Sequence, residues 1–389
     1  MSDSQTSRMV KQSYTVRFTT PAFLGDAEQN GAWRTPPFKA LLRQWWRVAV
    51  AKDYSYDHTQ LREAEGRLFG NAWIEGDFRQ SQIKLRLSRW EQGQLKQWPP
   101  NDPRITHPEV KNRNTGRLQP VGAQLYMGYG PLIYSQGGTA LKANTAIQEG
   151  DSADLNLLFP KEATALEKLP QLIHWFGTVG GRSRNGWGSF ILESNGLKGL
   201  DALNQSSAIL KELAKPLNEC LNKDWPNAFG KSSDERLLIW KSRNPKKTWR
   251  ETIVELAEIK IAFRTQLPLV FSINKDADIP RIDYRHLLGY PVTHHGAEGW
   301  CDKDQRNGQL KTDRHGYLKQ STRLANQLRF KVTKTSQGYI GLAYHLPCGI
   351  PSELLNALTA ADRTWIVEQQ LGVWQSVHAV IDKQMQRIP

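Results

Sequence analysis

Apolar and polar positions alternate along YTVRFTT (14–20), with aromatic and β-branched residues on the apolar beat. That period of two predicts a strand. A Gly-containing loop, TPAFLGDAEQNGAW, follows, and then the period changes. In WRTPPFKALLRQWWRVAV (33–50), Phe38, Leu41, Leu42 and Trp45 recur at i, i+3, i+4 and i+7, the buried stripe of an amphipathic helix. HTQLREAEGRLFGNAW predicts a second helix ending near Gly70, and IKLRLSRW (83–90) returns to alternation. Residues 91–120, rich in Pro, Asn and Arg, read as an insertion or loop. AQLYMGYGPLIY and ADLNLLFP are expected as strands, and TALEKLPQLIHWFG (164–177) as a helix despite Pro170. GGRSRNGWGSFILES reads as a Gly-rich loop running into a strand.

Helices interleaved with strands around an antiparallel sheet suggest a ferredoxin-like unit over 1–196. The composition then shifts. DALNQSSAILKELAKPLNECLNK (201–223) is expected as a helix within a connector spanning 197–234. From 235 to 389 the pattern repeats in kind. ERLLIWKSR predicts a strand, KKTWRETIVELAEIKIAFRTQL (246–267) a helix, and QLRFKVTKTSQGYIGLAYHLP a hairpin turning at Gly338. A polar loop covers 294–317, and a last helix occupies about the final 25 residues. There is no close sequence repeat, but an α+β chain with two units of one architecture is expected.

The formal charge of +14, from 52 Lys and Arg against 38 Asp and Glu, favours a polyanionic partner, nucleic acid before membrane. Fourteen tryptophans and 39% hydrophobic residues are ample for packed cores. The three cysteines form neither a CxxC pair nor a disulfide framework. The polar start MSDSQTSRMVKQ lacks the apolar core of a signal peptide, and no apolar run reaches membrane-spanning length, so a cytoplasmic setting is expected.

Two stretches carry candidate chemistry. In the helix at 33–50, Thr35 reads as the N-cap and Pro36 as the first helical residue. Lys39, Arg43 and Arg47 make a second stripe at i, i+4 and i+8, with Arg34 and Trp46 near its edge. No acid lies between residues 29 and 52, so the stripe has no local partner; it reads as a solvated face or a row of phosphate contacts. In GGRSRNGWGS, the glycines permit close backbone approach, and Arg182 and Arg184 suit bidentate phosphate contacts. The order helix, loop, strand and the Trp after Gly186 do not suit a nucleotide P-loop; contact with an extended phosphate backbone fits better.

FLGDAEQNGAWRTPPFKALLRQWWR after a first strand, EGRLFG soon after, and GGRSRNGWG before a strand together resemble the RAMP superfamily of type III CRISPR effectors. Within it, the resemblance is to the Cmr-type subunit that carries two such domains. It spans roughly 14–194, and RLANQLRFKVTKTSQGYIGL extends it more weakly over 280–347. The resemblance implies two modified ferredoxin-like, RRM-like domains. It also implies binding of guide RNA, or its duplex with target RNA, near the guide 3′ end, and assembly with other RAMP subunits in an antiviral ribonucleoprotein. Carried over residue by residue, the RNA-contacting positions are Lys39, Arg43 and Arg47 on the helix. In the loop they are Gly180, Gly181, Arg182, Ser183, Arg184, Asn185 and Gly186, and in the second half Arg323 and Arg329.

No cofactor is implied. The alternative function is a RAMP endoribonuclease, cutting target RNA with Asp26 in the loop after the first strand or processing guide RNA with His58. Asp26 departs from the small residues usual there, and turn capping accounts for it equally well. His294, His295, Cys301, Asp302, Asp304 and His315 share one polar loop without tetrahedral zinc spacing, and an RNA- or subunit-contacting loop fits them better.

Overall fold

Along β1 (Met9–Phe18), Val16 and Phe18 are buried while Lys11 and Ser13 are exposed, the one-sided wetting that alternation dictates. The strand belongs to a computed structural model that describes residues 9–28, 30–112, 114–203, 207–270, 281–292, 295–313, 316 and 318–388. Helix α1 (Thr35–Val50) follows; it begins at Thr35, with Arg34 as N-cap and the prolines in its first turn, one residue earlier than its sequence predicts. Phe38, Leu41, Leu42 and Trp45 are all buried, as the stripe requires. After α2 (His58–Phe69) come β2 (Lys84–Leu87), β3 (Ser152–Pro160), α3 (Ala165–Phe176) and β4 (Phe190–Glu193). The sheet order is β2-β3-β1-β4, every pairing antiparallel. With α1 and α3 as the crossovers, this is the βαββαβ path of a ferredoxin-like unit.

The second half repeats the path. β5 (Ile239–Lys241), α4 (Trp249–Thr265), β6 (Leu328–Thr335), β7 (Gly338–His345), α5 (Ala360–Gln384) and β8 (Gln386–Arg387) give the antiparallel order β6-β7-β5-β8. Position for position, this is the order of the first sheet.

The two units meet along β4 and β6. The Val332 amide donates to Ser189 Oγ at 3.0 Å, the Thr19 hydroxyl donates to the Val332 carbonyl at 2.6 Å, and the Phe330 amide donates to the Arg184 carbonyl at 2.9 Å. Alternation along LRFKVTKT predicts one wet face, yet Arg329, Lys331 and Thr333 are as buried as Phe330 and Val332. The first unit covers that polar face and supplies its partners. Lys331 Nζ donates to the carbonyls of Ile173 and His174, and Tyr344 Oη donates to the Phe176 carbonyl at 2.8 Å. These oxygens lie in the last turn of α3; that of Ile173 also accepts the Gly177 amide at 2.7 Å, while those of His174 and Phe176 lie where helix carbonyls run out of helical partners. The cores interlock too. Ile239, Tyr344, Leu346 and Ile388 join the core of the first sheet, while Trp98 and Trp187 pack with Trp249 in that of the second.

Three segments differ from their sequence reading. AQLYMG is a helix (Ala123–Gly128), because Asp102, remote in sequence, accepts the amides of Gln124 and Leu125 at 2.8 and 2.9 Å and caps its start. Only Leu132–Ser135 of that stretch is strand. The helix expected over 201–223 is broken: Ser207–Glu212 is helical, but Ala214–Pro216 pairs in parallel with Phe229–Lys231. Pro216 has no N–H with which to continue a helix. The insertion at 91–120 is a strap. It buries Trp98, and Glu109 accepts from Arg285 Nη1 at 2.7 Å, tying it to the second unit. No helix among the described residues is long and apolar enough to cross a membrane.

Candidate nucleic-acid interface

The glycine loop between α3 and β4 has two sides. Its far side is structural. Asn185 is buried, donating from Nδ2 to the Met127 carbonyl at 2.8 Å and accepting from Lys260 Nζ at 2.9 Å. Gly186, at φ +87°, lies under Ile253, Leu256 and Val332, and a Cβ on Gly188 would fall 1.8 Å from the Val179 carbonyl oxygen. A Cβ on Gly180 would meet the Phe23 carbonyl oxygen at 2.6 Å. These three glycines thus admit the protein's own chain. Ser183, half-buried, closes the turn by accepting the Gly186 amide at 3.2 Å. Arg184 is half-buried, donates to the Asn326 carbonyl at 2.7 Å, and has its pKa lowered to about 10 by burial and by Arg329. Arg329 is itself only 5% exposed and hydrogen-bonds Tyr344.

The near side is open. Arg182 is exposed and held at φ +56°, a left-handed conformation uncommon for a side-chain-bearing residue. Its Nε donates to the Tyr129 carbonyl. Its pKa is lowered first by burial of the head group and then by the charge of Arg323, which comes from the second unit. Behind them stand Lys260 and Arg264. Lys260 is lowered to about 7, mostly by burial, then by Arg264 and Arg182. None of these four cations forms an ion pair among the described residues. Arg182 and Arg323, singled out separately in the two halves, therefore share one basic surface. Lys260 and Arg264 escaped notice, although their i, i+4 spacing on a predicted helix was a visible signal.

The helix stripe divides differently. Glu65 on α2 accepts from Arg47 Nη2 at 2.8 Å and lies 3.4 Å from Arg43 Nε. The acid missing from the neighbourhood in sequence is supplied by the next helix. Arg43 also donates to the Gly70 carbonyl at 2.9 Å. Trp46 is buried beside Phe69, and Arg34 donates to the Gly25 carbonyl. Lys39 stands apart, in an open groove of about 550 Å³ also lined by Arg43 and Lys84. Its pKa is lowered by burial and by Arg43.

Asp26 Oδ1 accepts the Asn30 amide at 2.7 Å. His58 lies against Trp225. Among the described residues no three His, Cys, Asp or Glu side chains converge as a metal cluster. His294 and His315 lie outside the described residues; Cys301 is buried beside Tyr290.

The RAMP superfamily model matches residues 15–191. No curated protein matches the chain. Two solved structures align over most of its length. One is the crystal structure of Cmr1 from Pyrococcus furiosus in its apo form, 14% identical with a TM-score of 0.41, covering 93% of this chain and 97% of that one. The other is the cryo-EM structure of the type III-B Cmr-beta bound to cognate target RNA, 13% identical with a TM-score of 0.43, covering 92% and 100%.

Proposed function

We propose that this chain, whose residues 15–191 belong to the RAMP superfamily, is an RNA-binding subunit of a type III CRISPR effector. Guide RNA, or its duplex with target RNA, is the ligand, and other RAMP subunits are the neighbours. The second βαββαβ unit acts as a second RAMP domain, and the chain works in the cytoplasm without a cofactor. The observation that carries the reading is the meeting of Arg182 and Arg323 from the two units, backed by Lys260 and Arg264, none of them in an ion pair among the described residues. Such a surface suits a phosphate backbone, because each cation that replaces a condensed counterion adds to affinity without reading sequence. Lys39, with Arg43 and Lys84, lines a separate basic groove that offers a second phosphate-contacting surface.

The test is the salt dependence of binding to labelled single-stranded RNA. Arg182→Ala and Arg323→Ala should each flatten the slope of log affinity against log salt by roughly one unit. Unchanged slopes in both variants return this surface to solvent. Sequencing the RNA and identifying the subunits that co-purify from the host tests the effector assignment.

A further inference from the structure

An open pocket of about 490 Å³ lies beside the basic surface, within the size range of small-ligand sites. Phe23, Glu28, Asn30, Lys142, Asn144 and Gly181 line it. We infer that it holds one unstacked nucleobase of a bound strand, with Glu28, Asn30 and Asn144 reading the base's hydrogen-bonding edge. The inference rests on the RNA-binding reading above.

Four observations support it. First, the pocket adjoins the proposed phosphate contact: a Cβ on Gly130, in its wall, would lie 3.4 Å from Arg182 Nη2. A strand held by that guanidinium has its base within reach of the pocket. Second, Glu28 is exposed and forms no ion pair among the described residues. A carboxylate there repels phosphate and accepts from base amino and imino groups. Guanine, with N1–H and N2–H side by side, offers it two donors; uracil offers one.

Third, Asn30 is 8% exposed, and its carboxamide oxygen has no hydrogen-bond partner. It is one of fourteen such buried side-chain atoms among the described residues, and at the pocket wall it leaves hydrogen-bonding capacity unused. A half-turn of the carboxamide exchanges oxygen and nitrogen without a change in volume. Fourth, the walls are fixed in place. Asp26 accepts the Asn30 amide, and Phe23 packs between Trp187 at 5.5 Å and Trp98 at 6.1 Å. A preformed apolar wall with a few polar groups is what base recognition needs.

The experiment compares the full chain's affinity for oligouridine, for the same oligonucleotide with one central guanosine, and for free GMP. The expected result is a preference of roughly tenfold for the guanosine-containing strand, with GMP bound far more weakly than either strand. Glu28→Gln and Asn144→Ala should each remove most of that preference, weakening the guanosine-containing strand more than oligouridine and leaving the thermal midpoint unchanged. Arg182→Ala should weaken both strands alike and keep their ratio. Equal affinity for the two strands overturns the base pocket and leaves the RNA-binding function standing. GMP bound as tightly as the guanosine strand overturns it in favour of a mononucleotide site, and failure to bind either strand removes both readings.

Discussion

Lys331, on a strand of the second sheet, donates from Nζ to the His174 carbonyl oxygen in the last turn of a first-unit helix, 2.7 Å away. The lysine is fully buried, and burial drives its pKa well below that of a free amine. Lys331→Ala leaves the His174 carbonyl without its donor and a cavity beneath Phe190, so it should cost about 3 kcal/mol. Lys331→Met keeps the volume and removes an awkward buried amine, and should cost under about 1.5 kcal/mol. Urea midpoints of the two variants check this; equal losses exclude volume as the governing quantity.

Glu65 sets how much of the helix stripe is available to a polyanion. Lys39→Glu should weaken RNA binding at every sequence and flatten the salt slope by about one unit. Arg47→Glu should do less, since Glu65 already satisfies that guanidinium. Glu65→Gln should strengthen RNA binding several-fold while lowering stability by about 1–2 kcal/mol, as two half-exposed guanidinia lose a nearly buried partner. Filter binding across a salt series, paired with thermal melts, measures both. A Glu65→Gln variant with unchanged affinity assigns the stripe to stability alone.

The two sides of the glycine loop should separate by mutation. Gly186→Val forces a β-branched residue into a buried left-handed position and should cost at least about 2 kcal/mol. Gly181→Val meets Pro131 Cγ at 3.0 Å and Phe23 Cβ at 3.4 Å, at the pocket wall, and should reduce RNA affinity more than it reduces stability. Melting and binding on the same preparations give the comparison. A Gly186 variant of wild-type stability contradicts the packing described for the loop.

Lys260 gives RNA binding a pH dependence. Its pKa of about 7 in the free protein means it is half protonated at neutrality. A neighbouring phosphate favours the charged form and raises the pKa, so binding takes up a proton. Affinity should be highest below pH 7 and fall as pH rises from about 7 toward 9. Lys260→Met should abolish that part of the dependence, and a wild-type profile flat over this range removes Lys260 from the interface.

Stability should show an acid limit set by histidines. Burial lowers His174 and His286 to about 4 and His378 to about 3. The folded state keeps them neutral, while the unfolded chain protonates them from about pH 6.5 downward. Their contribution is therefore complete above pH 6.5 and is lost as pH falls toward 4 and then 3. Each costs about 1.4 kcal/mol per pH unit in that window. Urea denaturation at pH 7, 6 and 5 reads this directly; equal stabilities at pH 7 and 5 exclude it.

What the sequence disclosed follows from how local each signal is. The stripe Phe38–Leu41–Leu42–Trp45 and the alternation in β1 lie within a few residues of themselves, and both elements form, the strand as Met9–Phe18 rather than over 14–20. The helix at Ala123–Gly128 was illegible because its cap, Asp102, sits about twenty residues upstream. Glu65 lies 18 residues from Arg47, beyond any i, i+4 rule, so the stripe looked unpaired. Arg329 and Lys331 read as a wet strand face because nothing in LRFKVTKT announces that another unit will cover it. The pairing of Arg182 with Arg323 joins residues 141 positions apart (323 − 182) and emerges only when the sheets dock.

The shared strand order of the two sheets also accounts for the missing sequence repeat. In the first sheet the polar side of β2, the strand that corresponds to β6, carries Lys84 and Arg86, which look outward and tolerate any hydrophilic residue. In the second, Arg329, Lys331 and Thr333 are buried, and Lys331 is held by carbonyls at a helix end of the other half. Positions that correspond in the blueprint thus answer to different demands, one to water and one to a fixed set of partners. Two copies of a single plan placed edge to edge in this way cannot stay alike; the asymmetry of their surroundings erases the resemblance residue by residue while leaving the chain path intact.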